Sequence, residues 1–151
     1  MIQETYQVAE IEISYKPKFK AQQRPQVSQS EQAYNIFIQQ WDKGRLELLE
    51  EFKVLLLNTN HRVLGVAHLS KGGASSTVVD PKMIFSIALK ANASAIIVAH
   101  NHPSGSLKPS CADINMTRKL KEGGKLLEIR VEDHLIITSD GYYSFADNGI
   151  S

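Results

Sequence analysis

The densest group of residues able to do chemistry lies at 100–113, in the sequence HNHPSGSLKPSCAD. The apolar run that precedes it, SAIIVA at 94–99, predicts a buried strand. Because side chains alternate along a strand, His100 and His102 should leave its end on the same side. The spacing from Ser110 to Asp113 is typical of a helix start, with Ser110 as the N-cap and Asp113 in the first turn.

Two imidazoles at a strand end and a carboxylate on the next helix can therefore converge on one point. Neutral imidazole nitrogen and carboxylate oxygen are ligands that suit a divalent metal, zinc above all. Three protein ligands leave a fourth tetrahedral position for water, which is the pattern of a catalytic zinc site. Taken separately, the histidine pair is also compatible with an ordinary strand end, and the serine–aspartate pair with a simple helix cap.

These residues match a known signature. His100, His102 and Pro103, followed by Ser110 and Asp113, resemble the JAMM motif of JAB/MPN-domain metallopeptidases. The longer string HNHPSG, with TRKL at 117–120 and DHLII at 133–137, resembles the RadC family within that group. The resemblance covers roughly residues 30–148, and the chain is expected to be a short form that lacks the N-terminal helical domain of larger relatives. It implies a single JAB/MPN domain of cytidine-deaminase-like fold.

The resemblance also implies roles for individual residues. The metal ligands would be His100, His102 and Asp113, and Ser110 would donate a hydrogen bond to the developing oxyanion. A glutamate at the head of an earlier strand would act as the general base, and two candidates occur there, Glu50 and Glu51. Glu50 is favoured because strand alternation places it on the face of Phe52, but either carboxylate is also compatible with a solvated strand end.

Asp133 and His134 are candidates for orienting a ligand from behind, although a histidine that merely pairs strands would look the same. The function expected from this set is that of a zinc-dependent hydrolase that cleaves a peptide or isopeptide bond. Two alternatives remain open at this stage. One is a DNA-repair-associated or nucleic-acid-processing protein, and the other is a non-catalytic MPN-like binding module.

The rest of the chain must position these residues, and its pattern predicts an α/β domain with one mixed central sheet flanked by helices. Residues 1–27 are expected to form an N-terminal strand, over 5–15, and a linker, with the domain over 28–151. A capping box at 28–31 predicts a helix to residue 42, and Asp80 with Pro81 predicts a second helix to residue 92. Its core-facing stripe would be Ile84, Phe85, Ala88 and Leu89. A third helix is expected over 110–123, ended by Gly123 and Gly124. Strands are predicted at 50–58, 63–69, 129–138 and 142–145.

Composition is that of an ordinary globular protein, with 151 residues, 42% hydrophobic and 22% charged. The first residues do not resemble a signal peptide, and the single cysteine, Cys111, fits a reducing compartment, so a cytoplasmic location is expected. A net charge of +1 does not favour DNA as a partner, which leaves a peptide or protein substrate of unknown identity. No membrane partner is expected, and the predicted N-terminal strand could pair across a homodimer.

Overall fold

A five-stranded mixed sheet forms the centre of the protein in the computed structural model, which describes residues 2–12, 14, 16–71 and 79–150. Across the sheet the strand order is β2-β1-β3-β4-β5. The strands are β1 (Glu51–Leu57), β2 (Val63–Lys71), β3 (Ala95–Asn101), β4 (Arg130–Thr138) and β5 (Gly141–Ser144). Strand β1 is antiparallel to both β2 and β3, β3 and β4 are parallel, and β5 is antiparallel to β4.

Three helices flank this sheet: α1 (Ser30–Gln40), α2 (Pro81–Lys90) and α3 (Cys111–Leu127). Buried side chains of α1, such as Phe37, pack with Leu55 and Ile97 on one face of the sheet. Buried side chains of α2 and α3, such as Ile84 and Leu120, pack with Val54, Ile96 and Val98 on the other face. The side chains at odd and even positions of each central strand thus belong to separate clusters, because successive side chains of a strand point to opposite faces. The predicted α/β class with a mixed central sheet is confirmed.

The predicted N-terminal strand is wrong for the residues that the structure describes. Residues 2–12 belong to no strand, and their large apolar side chains are exposed, with Val8 at 85% and Ile11 at 88%. Two further positions of that prediction, Ile13 and Tyr15, lie outside the described residues. Alternation describes a strand only where a neighbouring strand supplies hydrogen bonds, and these residues have no such neighbour among the described parts of the chain.

Two helix predictions need correction, one at the start of α1 and one on the core-facing side of α2. The capping box of α1 is shifted, because Gln32 rather than Glu31 closes it, its Oε1 accepting from the backbone N–H groups of Ser28 and Gln29 at 2.6 and 3.1 Å. On α2 the cap is as predicted, since the Asp80 carboxylate accepts from the N–H of Lys82 at 2.9 Å. Leu89, expected in the core-facing stripe, is 55% exposed because the sheet reaches only the side of α2 that carries Ile84, Phe85 and Ala88.

The predicted end of α3 at Gly123 and Gly124 is wrong, because both glycines lie inside the helix. The helix continues to Leu127 and ends at Glu128, which adopts the left-handed conformation at φ 57°. A Cβ on Gly124 would lie 2.2 Å from the carbonyl oxygen of Ile129, and one on Gly123 would lie 2.8 Å from the Phe85 ring. These glycines permit close packing rather than terminating the helix. None of the helices among the described residues has the length and apolar character that a membrane span requires.

Candidate metal centre

The two candidate histidines lie at the C-terminal end of β3, where the strand passes into a tight loop. His100 is the next-to-last residue of the strand and is 3% exposed, in register with Phe52 of β1. The His102 backbone N–H still donates to Ile137 of β4 at 3.0 Å, and the loop then turns at Gly105, whose φ is +85°. This turn brings the Nε2 atoms of His100 and His102 to 3.0 Å from each other.

Asp113 reaches the same point from the first turn of α3, where a reciprocal capping box holds it. The Ser110 Oγ accepts from the Asp113 backbone N–H at 3.0 Å, and the Ser110 N–H donates to Asp113 Oδ2 at 2.9 Å. The two carboxylate oxygens then face one imidazole each. Oδ1 lies 3.2 Å from His100 Nε2, and Oδ2 lies 3.2 Å from His102 Nε2.

Hydrogen-bond partners on the far side of each ring fix which nitrogen carries hydrogen. The Nδ1 of His102 lies 2.7 Å from the carbonyl oxygen of Ser106, which can only accept, so this Nδ1 carries the hydrogen. A neutral His102 therefore presents a bare Nε2 lone pair to the centre.

The corresponding arrangement at His100 runs through two buried residues. The Thr117 hydroxyl donates to the Asp113 carbonyl oxygen at 2.9 Å, so its oxygen accepts from His134 Nδ1 at 2.6 Å. Burial lowers the pKa of His134 well below its ordinary value, so the ring is neutral and its Nε2 is an acceptor. That Nε2 lies 2.7 Å from His100 Nδ1, which consequently donates, so a neutral His100 ring presents its Nε2 lone pair to the centre.

Two lone pairs and a carboxylate thus meet within about 3 Å, an arrangement that requires a positive charge between them. When no metal is bound, a proton shared among these groups supplies this positive charge. The hydrogen bond to Asp113 raises the pKa of His102. Burial alone would raise the pKa of Asp113, but its contacts with the two imidazoles outweigh burial and hold that pKa well below its usual value. A divalent cation meets the same requirement and fits this set of donor atoms.

Glu50 lies on the rim of this centre, and Glu51 does not. The Glu50 Oε1 is 3.8 Å from His100 Nε2, and the ligand atoms of Glu50, His100 and His102 all lie within 4.8 Å of one another. The Glu51 side chain lies on the opposite face, where its carboxylate is 3.4 Å from Arg45 Nε and 3.7 Å from Lys53 Nζ.

A match to a known family accompanies this geometry. The chain matches the family described as RadC-like JAB domain over residues 27–150. The chain belongs to this family. Its relatives include UPF0758 proteins of Flavobacterium johnsoniae, 50% identical over 101 residues, and of Porphyromonas gingivalis, 48% identical over 102 residues. Each match covers 67% of this chain but only 44% and 45% of the respective relative, so the chain spans less than half the length of these proteins.

Two supporting residues of this JAB domain were missed by sequence reasoning. Asn101, fully buried on the face opposite the histidines, accepts from the backbone N–H of Glu51 at 2.7 Å and donates to the carbonyl of Leu49 at 2.8 Å. These hydrogen bonds hold the backbone of Leu49 and Glu51, the residues on either side of Glu50. Thr117, the partner of His134, was also missed; the available signal was its position one helical turn after Asp113.

Asp133 and His134, both named as candidates for orienting a ligand, lie on opposite faces of β4. Only His134 contacts a candidate ligand. Asp133 instead accepts from the His134 N–H, the Ser144 hydroxyl and the Ala146 N–H at 2.7, 2.6 and 2.9 Å, and burial raises its pKa. It thereby ties β4 to the segment after β5.

Proposed function

We propose that this protein is a zinc-dependent hydrolase that cleaves a peptide or isopeptide bond. The single observation that carries the proposal is the convergence of the Nε2 atoms of His100 and His102 and the Asp113 carboxylate, with separations of 3.0 to 3.2 Å, beside the buried carboxylate of Glu50. Membership of a JAB domain family, which includes metallohydrolases, agrees with this reading.

His100, His102 and Asp113 would hold the metal. Asp113 is assigned as the third ligand rather than Glu50 because its oxygens lie 3.2 Å from both imidazole nitrogens, against 3.8 Å from Glu50 to His100. Zinc is the metal that suits two imidazoles and one carboxylate best, and when bound it supplies Lewis-acid polarisation of a carbonyl group and acidifies water.

Glu50 would move the proton. Its carboxylate is largely buried, at 8% exposure, and lies at the edge of the centre, where it can take a proton from the attacking water and pass it to the departing amine. The hydrogen bonds of Asn101 to the backbone of Leu49 and Glu51 hold the segment of chain that carries this carboxylate.

Ser110 would stabilise the oxyanion. Its oxygen accepts the capping hydrogen bond from Asp113, and a hydroxyl that accepts one bond keeps its own hydrogen to donate to another group. The side chain is exposed at the mouth of the centre, where substrate would approach.

The test is hydrolysis of a mixed peptide library by the zinc-loaded protein, read by mass spectrometry. Glu50→Gln should reduce cleavage by at least about 100-fold while zinc content stays unchanged, because only the proton transfer is removed. Glu51→Gln is the matched control and should retain cleavage. Absence of cleavage by zinc-loaded wild type, or full activity in Glu50→Gln, would contradict the proposal.

A further inference from the structure

A cavity of about 210 Å³ opens directly beside the candidate metal centre. One wall is polar and is shared with the centre, since it is made by Glu50, His100, Asp113 and His134. The other wall is made by four apolar side chains: Phe52, Val79, Ala112 and Met116. The cavity therefore joins the reacting centre to an apolar surface.

The cavity is larger than the centre requires. A water molecule occupies about 30 Å³ in the liquid, so 210 Å³ corresponds to roughly seven waters. A metal ion and one water use only a small part of this space. The remainder has room for a side chain of about the size of leucine.

The apolar wall is an extension of the protein core. Phe52 and Val79 are buried, at 4% and 6% exposure, and belong to the cluster that α2 and α3 form on the sheet, against which Met116 also packs. Because none of the four side chains can donate or accept a strong hydrogen bond, a polar group placed against this wall would lose its contacts with water without replacement. An apolar group would gain by leaving water.

Helix α3 supplies two of the four apolar side chains. Ala112 is exposed and Met116 is partly buried, so they lie nearer to solvent than Phe52 and Val79. The flexible thioether of Met116 can adapt to side chains of different shape.

We infer that the cavity is a specificity pocket for an apolar side chain on the residue that contributes the scissile carbonyl. The inference rests on the proposed function and deepens it. The α-carbon of that residue is one bond from the carbonyl carbon, whereas the α-carbon on the amine side is two bonds away. Its side chain is therefore the nearer one to a pocket that shares His100 and Asp113 with the metal centre.

The probes for testing this pocket are two hydroxamates, N-acetyl-leucine hydroxamate and N-acetyl-asparagine hydroxamate. They carry the same metal-chelating group and side chains of similar size, but only one is apolar. Their dissociation constants for the zinc-loaded protein are measured by calorimetry, with zinc content determined on the same samples. The leucine compound should bind about tenfold more tightly or better, because burial of a leucine side chain favours binding by at least the free energy of one tenfold step.

Two variants test whether the preference for the leucine compound arises from this cavity. Ala112→Phe replaces a lining residue of the cavity with a large ring and should reduce the preference for leucine to less than twofold. Asn115→Phe adds the same ring to an exposed position of the same helix that does not line the cavity, and it should keep the full preference.

The possible outcomes distinguish failure of the proposed pocket from failure of the proposed hydrolase function. Equal binding of the two compounds to zinc-loaded wild type, or a preference that survives in Ala112→Phe, would overturn the pocket and leave the hydrolase proposal standing. If neither compound binds although zinc is bound, the pocket is overturned, and so is the proposal that the zinc keeps a coordination position open for a ligand. Failure of the protein to load zinc would overturn the proposed function and the pocket with it.

Discussion

At the scale of single residues, the candidate centre depends on where a few hydrogen atoms lie. The carbonyl of Ser106 fixes the hydrogen of His102 on Nδ1, and the pair of His134 and Thr117 does the same for His100. Groups behind metal ligands commonly orient them in this way, and their loss reduces metal affinity by about 10- to 100-fold.

Thr117 offers the cleanest test of this orientation. Thr117→Val keeps the shape of the side chain but removes the hydroxyl that accepts from His134, so we expect zinc affinity to fall by about tenfold or more. Thr117→Ser retains the hydroxyl and should bind zinc within about threefold of wild type. Competition with a chromophoric chelator measures both affinities. Equal affinities for the two variants would show that the Thr117 hydroxyl does not act on the ligand.

Sequence reasoning named the residues of the candidate centre that lie within one short motif, but it did not name residues that contact them from other elements. His100, His102 and Asp113 are brought together by a single turn and a helix cap, both of which have local signals. Thr117 and Asn101 act through contacts with β4 and with the chain before β1, and no local pattern records those pairings.

At the scale of the elements, glycine in α3 shows why a local signal can mislead. A glycine pair is a common helix terminator, yet in α3 both glycines are used where another element approaches the helix. Gly124 contacts the backbone of Ile129, and Gly123 contacts the Phe85 ring from α2. Both approaches involve elements distant in sequence, so no local pattern distinguishes a glycine needed for close packing from one that ends a helix.

Alanine at these two positions should have different effects on stability. Gly124→Ala sets a Cβ against a carbonyl that cannot move without shifting β4, and we expect it to cost about 3 kcal/mol or more of unfolding free energy. Gly123→Ala meets only a ring that can turn aside, and the helix propensity of alanine, about 1 kcal/mol, offsets part of that cost.

Denaturant unfolding followed by the fluorescence of Trp41, the one tryptophan of the chain and buried at 4% exposure, would measure both variants. A loss in Gly124→Ala no larger than in Gly123→Ala would contradict the close approach of α3 to Ile129.

At the scale of the whole molecule, we expect the fold to form without a metal. Two apolar clusters on opposite faces of the sheet hold the helices in place, and the candidate ligands lie at one end of one strand. The clusters themselves were predictable from periodicity, as the burial of Phe37, Trp41 and Ile84 shows. The exposure of Val8 and Ile11 was not, because periodicity alone does not say whether a partner surface exists.

Removing zinc should therefore lower stability without unfolding the protein. Free zinc at 100 times its dissociation constant adds about 2.7 kcal/mol to the stability of the folded state, which corresponds to a rise in Tm of roughly 5–10 °C for a chain of this length. Thermal unfolding with and without a chelator, followed by circular dichroism, measures the difference. Unfolding by the chelator at 25 °C, or an unchanged Tm, would contradict this view of the site.

The most direct test of the central claim is the metal content of purified protein, measured by elemental analysis. Wild type should carry one zinc per chain, and His102→Ala and Asp113→Ala should carry almost none while remaining folded. His61→Ala removes a histidine that pairs with Glu132 away from the centre, and it should keep its zinc. Folded wild type that takes up no zinc even when zinc is added back, or ligand variants that retain it, would contradict the claim that these residues form a metal site.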